Sequence, residues 1–199
     1  MVKRSIDIFI AIVVISTTSP LWVLTAVLIK LTSSGSVFYR QRRVGLHGAE
    51  FDMLKFRTMT VGSDSVSLAQ ADDPRITKIG SILRPTSLDE LPQLINVLWG
   101  EISICGPRPP LPEMVPYYTA DESKRLNVRP GLTGWAQING RNRLPYHERL
   151  RLDQWYVEHF SVWIDLFILI KTVPVLFSGR GMVQDDPRPW ENRPLDKCD

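Results

Sequence analysis

Asp89 and Glu90 stand side by side in Arg84-Pro85-Thr86-Ser87-Leu88-Asp89-Glu90-Leu91-Pro92, the segment densest in groups that could do chemistry. Pro92 suits the first turn of a helix, where a missing N–H is no loss. Leu88, Leu91, Leu94, Ile95 and Leu98 have helical apolar spacing, which predicts that helix over 88–98. The acid pair then lies at its N-terminus. One reading is structural: Ser87 and Glu90 have capping-box spacing, and two carboxylates suit the positive end of a helix dipole. Taken alone, that is the commoner reading. The other reading is chemical. A helix N-terminus attracts anions through its N–H groups, and a carboxylate there stays ionised at neutral pH, available as a nucleophile. Its difficulty is repulsion from an anionic phosphate, roughly 4 kcal/mol for two charges about 4 Å apart at an effective dielectric of ~20. Arginines and a divalent metal such as Mg2+ would cancel that repulsion.

The chain supplies the cations. Lys55, Arg57, Arg75, Arg84 and Arg108 are candidates to converge on the acid pair. Arg108 lies in Gly106-Pro107-Arg108-Pro109-Pro110, where prolines stiffen the backbone and a planar fork matches phosphate oxygens. A second Gly/Arg-rich stretch runs through Arg129-Pro130-Gly131-Leu132-Thr133-Gly134-Trp135 to Asn139-Gly140-Arg141. It suits holding a nucleotide and equally suits making turns, and spacing does not separate the two. Arg141 joins the phosphate- and substrate-binding candidates. No P-loop is present, because Gly-Lys-Ser/Thr is missing. His47, His147 and His159 lack metal-ligand spacing, and Cys105 reads as packing. Two cysteines, Cys105 and Cys198, exclude a disulfide scaffold and a four-cysteine zinc site, and a reducing compartment is the default.

Several elements must carry these residues. The 199 residues, 44% hydrophobic and 23% charged, suffice for one domain plus a membrane element. A net charge of +3 is too small to argue for nucleic acid. Residues 8–29 carry no charge, long enough for a bilayer helix. Pro20, after Ser16-Thr17-Thr18-Ser19, removes a backbone donor there, and the hydroxyls can bond the carbonyls left over. Lys3 and Arg4 precede the run, and Lys30, Arg40, Arg42 and Arg43 follow it. Basic flanks on both sides suit a re-entrant hairpin with both ends on the cytoplasmic face, and a kinked transmembrane helix remains the alternative. Residues 36–58 read as a β-hairpin with its turn at 45–48. Alternation puts Arg40 and Arg42 on one face of the first strand, and Phe51, Met53, Lys55 and Arg57 on one face of the second. Residues 60–74 read as a loop and 113–128 as a helix. Residues 144–160 read as an amphipathic helix, and 162–177 as an apolar one. Trp155, Tyr156 and Trp163 sit where an interfacial belt would place them, although a buried core pair fits as well. The polar tail over 184–199 has no periodicity. The fold class expected is α+β and mainly helical: an N-terminal re-entrant membrane helix hairpin, a small β-hairpin and amphipathic interfacial helices.

In ordered motifs the chain resembles the small monotopic bacterial phosphoglycosyltransferases, which are polyprenol-phosphate sugar-1-phosphate transferases. The motifs are Lys3-Arg4-Ser5-Ile6-Asp7, Lys55-Phe56-Arg57-Thr58-Met59, Asp73-Pro74-Arg75-Ile76-Thr77, Thr86-Ser87-Leu88-Asp89-Glu90-Leu91-Pro92-Gln93, Gly106-Pro107-Arg108-Pro109 and Arg129-Pro130-Gly131-Leu132-Thr133-Gly134-Trp135. Pro85 and Cys105 depart from the family pattern without touching the acid pair. The resemblance implies a re-entrant helix broken at Ser19-Pro20 (residues 1–33), a cytoplasmic catalytic domain (34–182) and a polar tail (183–199).

It also implies a ping-pong reaction at the cytoplasmic face of the bacterial inner membrane. Asp89 matches the nucleophile that attacks the β-phosphate of a UDP-sugar, and an aspartyl-phosphosugar intermediate results as UMP leaves. Polyprenol (undecaprenyl) phosphate then takes the sugar phosphate, as a first membrane step of glycan assembly. Glu90 matches the Mg2+-binding acid, and Lys55 and Arg108 match positions at the phosphate. Arg57, Arg75 and Arg84 are added on charge and chain position. The partners expected are the UDP-sugar, the lipid phosphate and a single membrane leaflet, with no nucleic acid and an oligomer compatible. The small, single-hairpin form leans toward a modified N-acetylated UDP-sugar. The rival readings are a non-catalytic polybasic membrane-surface scaffold and a metal-dependent lipid-phosphate phosphatase.

Overall fold

The structure, a computed structural model, describes residues 2–60, 62, 73–140 and 144–177. It is mainly helical with two small sheets. Helix α1, Val2–Thr32, runs as one helical segment with Pro20 inside it. The hydroxyls ahead of the proline take up the carbonyls as expected: Ser19 Oγ donates to Ser16 O (2.9 Å), which residue 20 cannot reach for lack of an N–H. Thr17 and Thr18 Oγ1 donate to Val13 O and Val14 O at 2.8 and 2.6 Å. Trp22 Nε1 in turn donates to Thr18 Oγ1 (3.1 Å).

Strands β1 (Phe38–Val44) and β2 (Glu50–Phe56) form an antiparallel hairpin in which Tyr39 pairs with Lys55 and Val44 with Glu50. The turn is a short 3-10 segment, Leu46–Gly48, with His47 at φ 55° and Gly48 at φ 81°. Arg40 and Arg42 lie on the solvated face beside Asp52 and Glu50. Phe51 and Met53 face the core, which gathers Ala11 of α1, Leu94, Val97, Ile102, Ile104 and Tyr156.

The helix expected over 88–98 is split. Residues Leu88–Glu90 form a 3-10 turn, and α3, Gln93–Trp99, follows Pro92. (Before them comes the one-turn helix α2, Gly80–Leu83.) Ser87 sits at φ 55° and makes no side-chain capping bond, so the capping box is not formed. Glu90 is drawn instead to cations across the fold. Helix α3 is tied to β2 by Asn96, which is fully buried. Its Oδ1 accepts from Leu54 N (3.0 Å) and its Nδ2 donates to Asp52 O (2.8 Å). Asn96 thus satisfies the outer edge of β2 as a strand would.

Strand β3 (Ser103–Cys105) pairs in parallel with β4 (Gly131–Thr133). The turn-or-nucleotide stretch is therefore the pairing partner of the segment before Arg108. Its glycines permit backbone-on-backbone contact: a Cβ on Gly131 would lie 2.1 Å from Gly106 N, and one on Gly134 2.0 Å from Gly106 O. The single helix expected over 113–128 is corrected to three short pieces. These are a 3-10 segment Pro112–Tyr117, α4 (Ala120–Ser123) and a 3-10 turn Lys124–Asn127. Pro116 stands inside the first, and Thr119 starts the second through a capping box with Glu122.

After the short α5 (Trp135–Ile138) come α6, Tyr146–His159, and α7, Val162–Phe177. Tyr156 belongs to the core and not to an interfacial belt: its hydroxyl donates to Asp165 Oδ1 (2.6 Å). Trp163, at 80% exposure, does point outward, with Leu166, Phe167, Ile170 and Val173. The tail over 184–199 and most of the loop over 60–74 lie outside the described residues.

Candidate active site

Glu90 is the hub of the site. Its Oε1 accepts from Lys55 Nζ (3.0 Å) and from Arg108 Nη2 (2.7 Å). Lys55 comes from β2 on the face it shares with Phe51 and Met53, so the core packing of the strand aims the ammonium at the 3-10 turn. Arg108 comes from the proline-rich segment after β3. The Glu90 side chain is 14% exposed, while that of Arg108 is 39% exposed and reaches solvent. The knot is an enclosed charge cluster with one open side.

The neighbouring acids are tuned in opposite directions. Burial would raise the Glu90 carboxyl, but Arg108 and Lys55 hold it well below the usual carboxylate range. Burial pushes Asp89 up to about 6, and the Glu90 charge pushes the same way against Lys55, Arg84 and Arg108. Asp89 therefore carries a destabilised negative charge at neutral pH, in a setting where incoming positive charge or loss of that charge is favoured. Burial lowers Lys55, and Glu90 opposes the change.

Of the candidate cations, the structure brings Lys55, Arg108 and Arg84 to the pair. The charge of Arg84 acts on both Asp89 and Asp73. Arg75 engages Asp73 through Nε (2.9 Å to Oδ1) and Nη2 (2.6 Å to Oδ2). Arg57 is turned toward the end of α1, donating to Ser33 O (2.9 Å) and Oγ (2.8 Å). Arg141 lies outside the described residues. Two cations that the sequence does not mark as site residues stand behind the Arg108 segment: Arg43 of β1 and Arg125. Only the inward parity of Arg43 on its strand could have signalled the first. Nothing local signals the second.

No group of three or more His, Cys, Asp or Glu suited to a metal occurs among the described residues. Glu90 nevertheless suits Mg2+, which takes one or two carboxylates and completes its shell with water and substrate phosphate. Both hydrogen bonds to Glu90 fall on Oε1, so Oε2 is the oxygen that would hold the ion.

Comparison with known proteins bears on the chain as a whole. The family model described as bacterial sugar transferase matches residues 1–179. An uncharacterized sugar transferase, EpsL, of Bacillus subtilis is 44% identical over 184 residues, covering 92% of this chain and 91% of the relative. The UDP-glucose:undecaprenyl-phosphate glucose-1-phosphate transferase of Caulobacter vibrioides is 42% identical over 186 residues, covering 88% and 70%. An Aeromonas hydrophila protein named UDP-N-acetylgalactosamine-undecaprenyl-phosphate N-acetylgalactosaminephosphotransferase is 38% identical over 192 residues, covering 90% and 44%.

Proposed function

The chain belongs to the bacterial sugar transferase family, and from that premise we propose that it moves a sugar-1-phosphate from a UDP-sugar to undecaprenyl phosphate, releasing UMP. The observation that carries the reading is Asp89, a carboxylate destabilised by burial, beside a Glu90 that gathers Lys55 and Arg108 on one oxygen. In the first half-reaction the donor diphosphate is met by Arg108 and Lys55. An Asp89 oxygen attacks the β-phosphorus, the bond to the bridging oxygen breaks and UMP leaves. In the second, a phosphate oxygen of the lipid attacks the same phosphorus and Asp89 is released. One phosphate site serves both anions in turn. Mg2+, held at Glu90, would supply charge neutralisation for the transferred phosphoryl group.

Membrane residence is part of the proposal, at the cytoplasmic face of the inner membrane. Helix α1 is long and apolar enough to cross a bilayer, and only 11% of its most apolar window is buried. A straight helix of 31 residues would carry its far end about 45 Å away, beyond a bilayer core of about 30 Å. Yet Lys3 near one end bonds Cys105 O (3.1 Å), and Ser33 just past the other receives Arg57. Both ends are held by one globular body, which supports a helix that enters and leaves by the same face, bending at Ser19-Pro20.

Intact mass spectrometry after exposure to UDP-sugars and Mg2+ without lipid tests the reading. The donor panel spans glucose, galactose and N-acetylated sugars, because relatives of similar identity differ in the sugar they are named for. A sugar-phosphate adduct that is missing in Asp89→Asn is expected. Absence of both adduct and lipid-dependent UMP release across the panel would overturn it in favour of a scaffold or phosphatase.

A further inference from the structure

The segment that carries Arg108 cannot be held as an ordinary strand. Three of its four residues from 107 to 110 are prolines, so Arg108 has the single N–H and a ladder is impossible. What the segment does offer is carbonyls, and all four are taken. Pro107 O accepts from Gly131 N (2.8 Å) and Pro110 O from Val44 N (3.0 Å). Between them, Arg108 O accepts from Arg125 Nη2 (2.8 Å) and Pro109 O from Arg43 Nη1 (3.0 Å). Two guanidinium groups from different parts of the chain thus strap the carbonyl of the arginine that meets Glu90 and the carbonyl that follows it.

Arg125 is itself fixed. It is paired with Asp153 of α6 (2.6 Å), their side chains 6% and 4% exposed, and it donates to the Tyr118 hydroxyl (2.7 Å). A buried ion pair of this kind adds little stability over apolar residues of similar size. What apolar residues cannot supply is a donor aimed at the Arg108 carbonyl. Arg43 is kept beside Arg108 despite like charge. We propose that Arg125, braced by Asp153 and Tyr118, and Arg43 are positioning residues that fix the backbone of Arg108 so that its guanidinium meets Glu90 and the substrate phosphate. The proposal rests on the transferase reading for its activity test and on geometry alone for its structural test.

The decisive variant replaces the pair together, Arg125→Met with Asp153→Leu, so that neither partner of the ion pair is left alone. UMP release is compared in four proteins: wild type, the paired variant, Arg108→Ala, and the paired variant in the Arg108→Ala background. A displacement of about 1 Å at a catalytic group can cost on the order of a hundredfold in rate. The paired variant is therefore expected to lower kcat by about tenfold to a hundredfold at unchanged thermal midpoint. In the Arg108→Ala background it should lower kcat by less than about twofold, because the effect passes through Arg108. A wild-type kcat, or losses that multiply fully in the two backgrounds, would overturn the proposal. If wild type releases UMP from no donor, the transferase reading fails and the crystal structure of the paired variant decides. Arg108 displaced from Glu90 supports the strap, and Arg108 in place refutes it. Should the paired variant not fold, Arg43→Gln removes the bond to Pro109 O while leaving Arg125 and Asp153 intact. It is put through the same comparisons, where a loss confined to the Arg108 background supports the strap and an unchanged kcat refutes it.

Discussion

Asp89 and Glu90 are neighbours in sequence with opposite electrostatic fates, and that difference is measurable. A folded-state value of about 6 for Asp89 lies above the ordinary 3.8. Its contribution to stability is thus fully present below about 3.8 and is lost as pH rises through about 6. At neutral pH its charge costs on the order of 1–3 kcal/mol. Asp89→Asn should therefore abolish adduct formation while raising the unfolding midpoint at pH 7.5, read by denaturant titration. Glu90 has the reverse sign: its stabilisation is present above the ordinary carboxylate value and is lost as pH falls through its depressed one. Glu90→Gln leaves the enclosed Lys55 and the half-exposed Arg108 without their counter-charge and should destabilise by about 1–3 kcal/mol, with turnover lost or the Mg2+ requirement raised. The rate of adduct formation should also fall below about pH 6 as Asp89 is protonated, and a flat profile from pH 5 to 8 would count against Asp89 as nucleophile. These two acids, with Lys55 and Arg108, can be picked out of the sequence because types and local rigidity announce them. Strand alternation places Arg57 with them, but β2 ends at Phe56, and past that point the pleat no longer dictates a face. Arg125 and Asp153 lie 28 residues apart with no motif between them, and only tertiary packing joins them.

The elements that bring the site together are small, so close backbone approach does what large surfaces do elsewhere. The β3–β4 pair has three residues a side, and its register places the Arg108 segment. Gly131→Ala puts a methyl 2.1 Å from the Gly106 nitrogen, a backbone atom that cannot swing aside. A loss above about 3 kcal/mol is expected, seen as a thermal midpoint lower by ten degrees or more, or as insoluble protein. The sequence shows the glycines but leaves turn and nucleotide cradle equally open, because a glycine needed for close packing and one needed for phosphate approach have the same side chain. The hairpin over 36–58 and the helices over 144–160 and 162–177 are legible from periodicity. The broken run over 113–128 is not, because its apolar spacing masks Pro116, which ends the regular hydrogen bonding whatever the spacing says. In α1 the Ser/Thr cluster offsets the same defect through its hydroxyls, so the proline sits within a helix that continues past it.

Across the whole molecule, α1 and α7 leave large apolar side chains uncovered: Phe9, Val23 and Leu31 on one, Trp163, Ile170 and Val173 on the other. Each helix also has a buried anchor, Ala11 and Ile29 on α1 and Ile168 on α7. The outward faces suit lipid while the inward faces tie both helices to the domain that holds Glu90. Two basic residues counted as a flank of the apolar run are docked on the domain. Lys3 pairs with Asp165, and Arg4 donates to Leu98 O (2.9 Å). What keeps the N-terminus on the domain side is therefore docking as much as attraction to the lipid surface, and Asp7, buried and bonded to Ser103 Oγ (2.8 Å) and Ile104 N (3.1 Å), adds to it. That docking makes a topological prediction. With Cys198→Ser in place, single cysteines at Val2 and Ser34 should both react with a membrane-impermeant maleimide in inverted inner-membrane vesicles, and neither in intact spheroplasts. Reaction of one from each side would mean that α1 crosses the bilayer, and the contacts of Lys3 and Arg57 could not then coexist in the membrane-bound protein. Pro20→Ala sharpens the comparison: without the proline a straighter helix competes with docking, so any reactivity that moves to the far side should move at Val2 or Ser34 in this variant first.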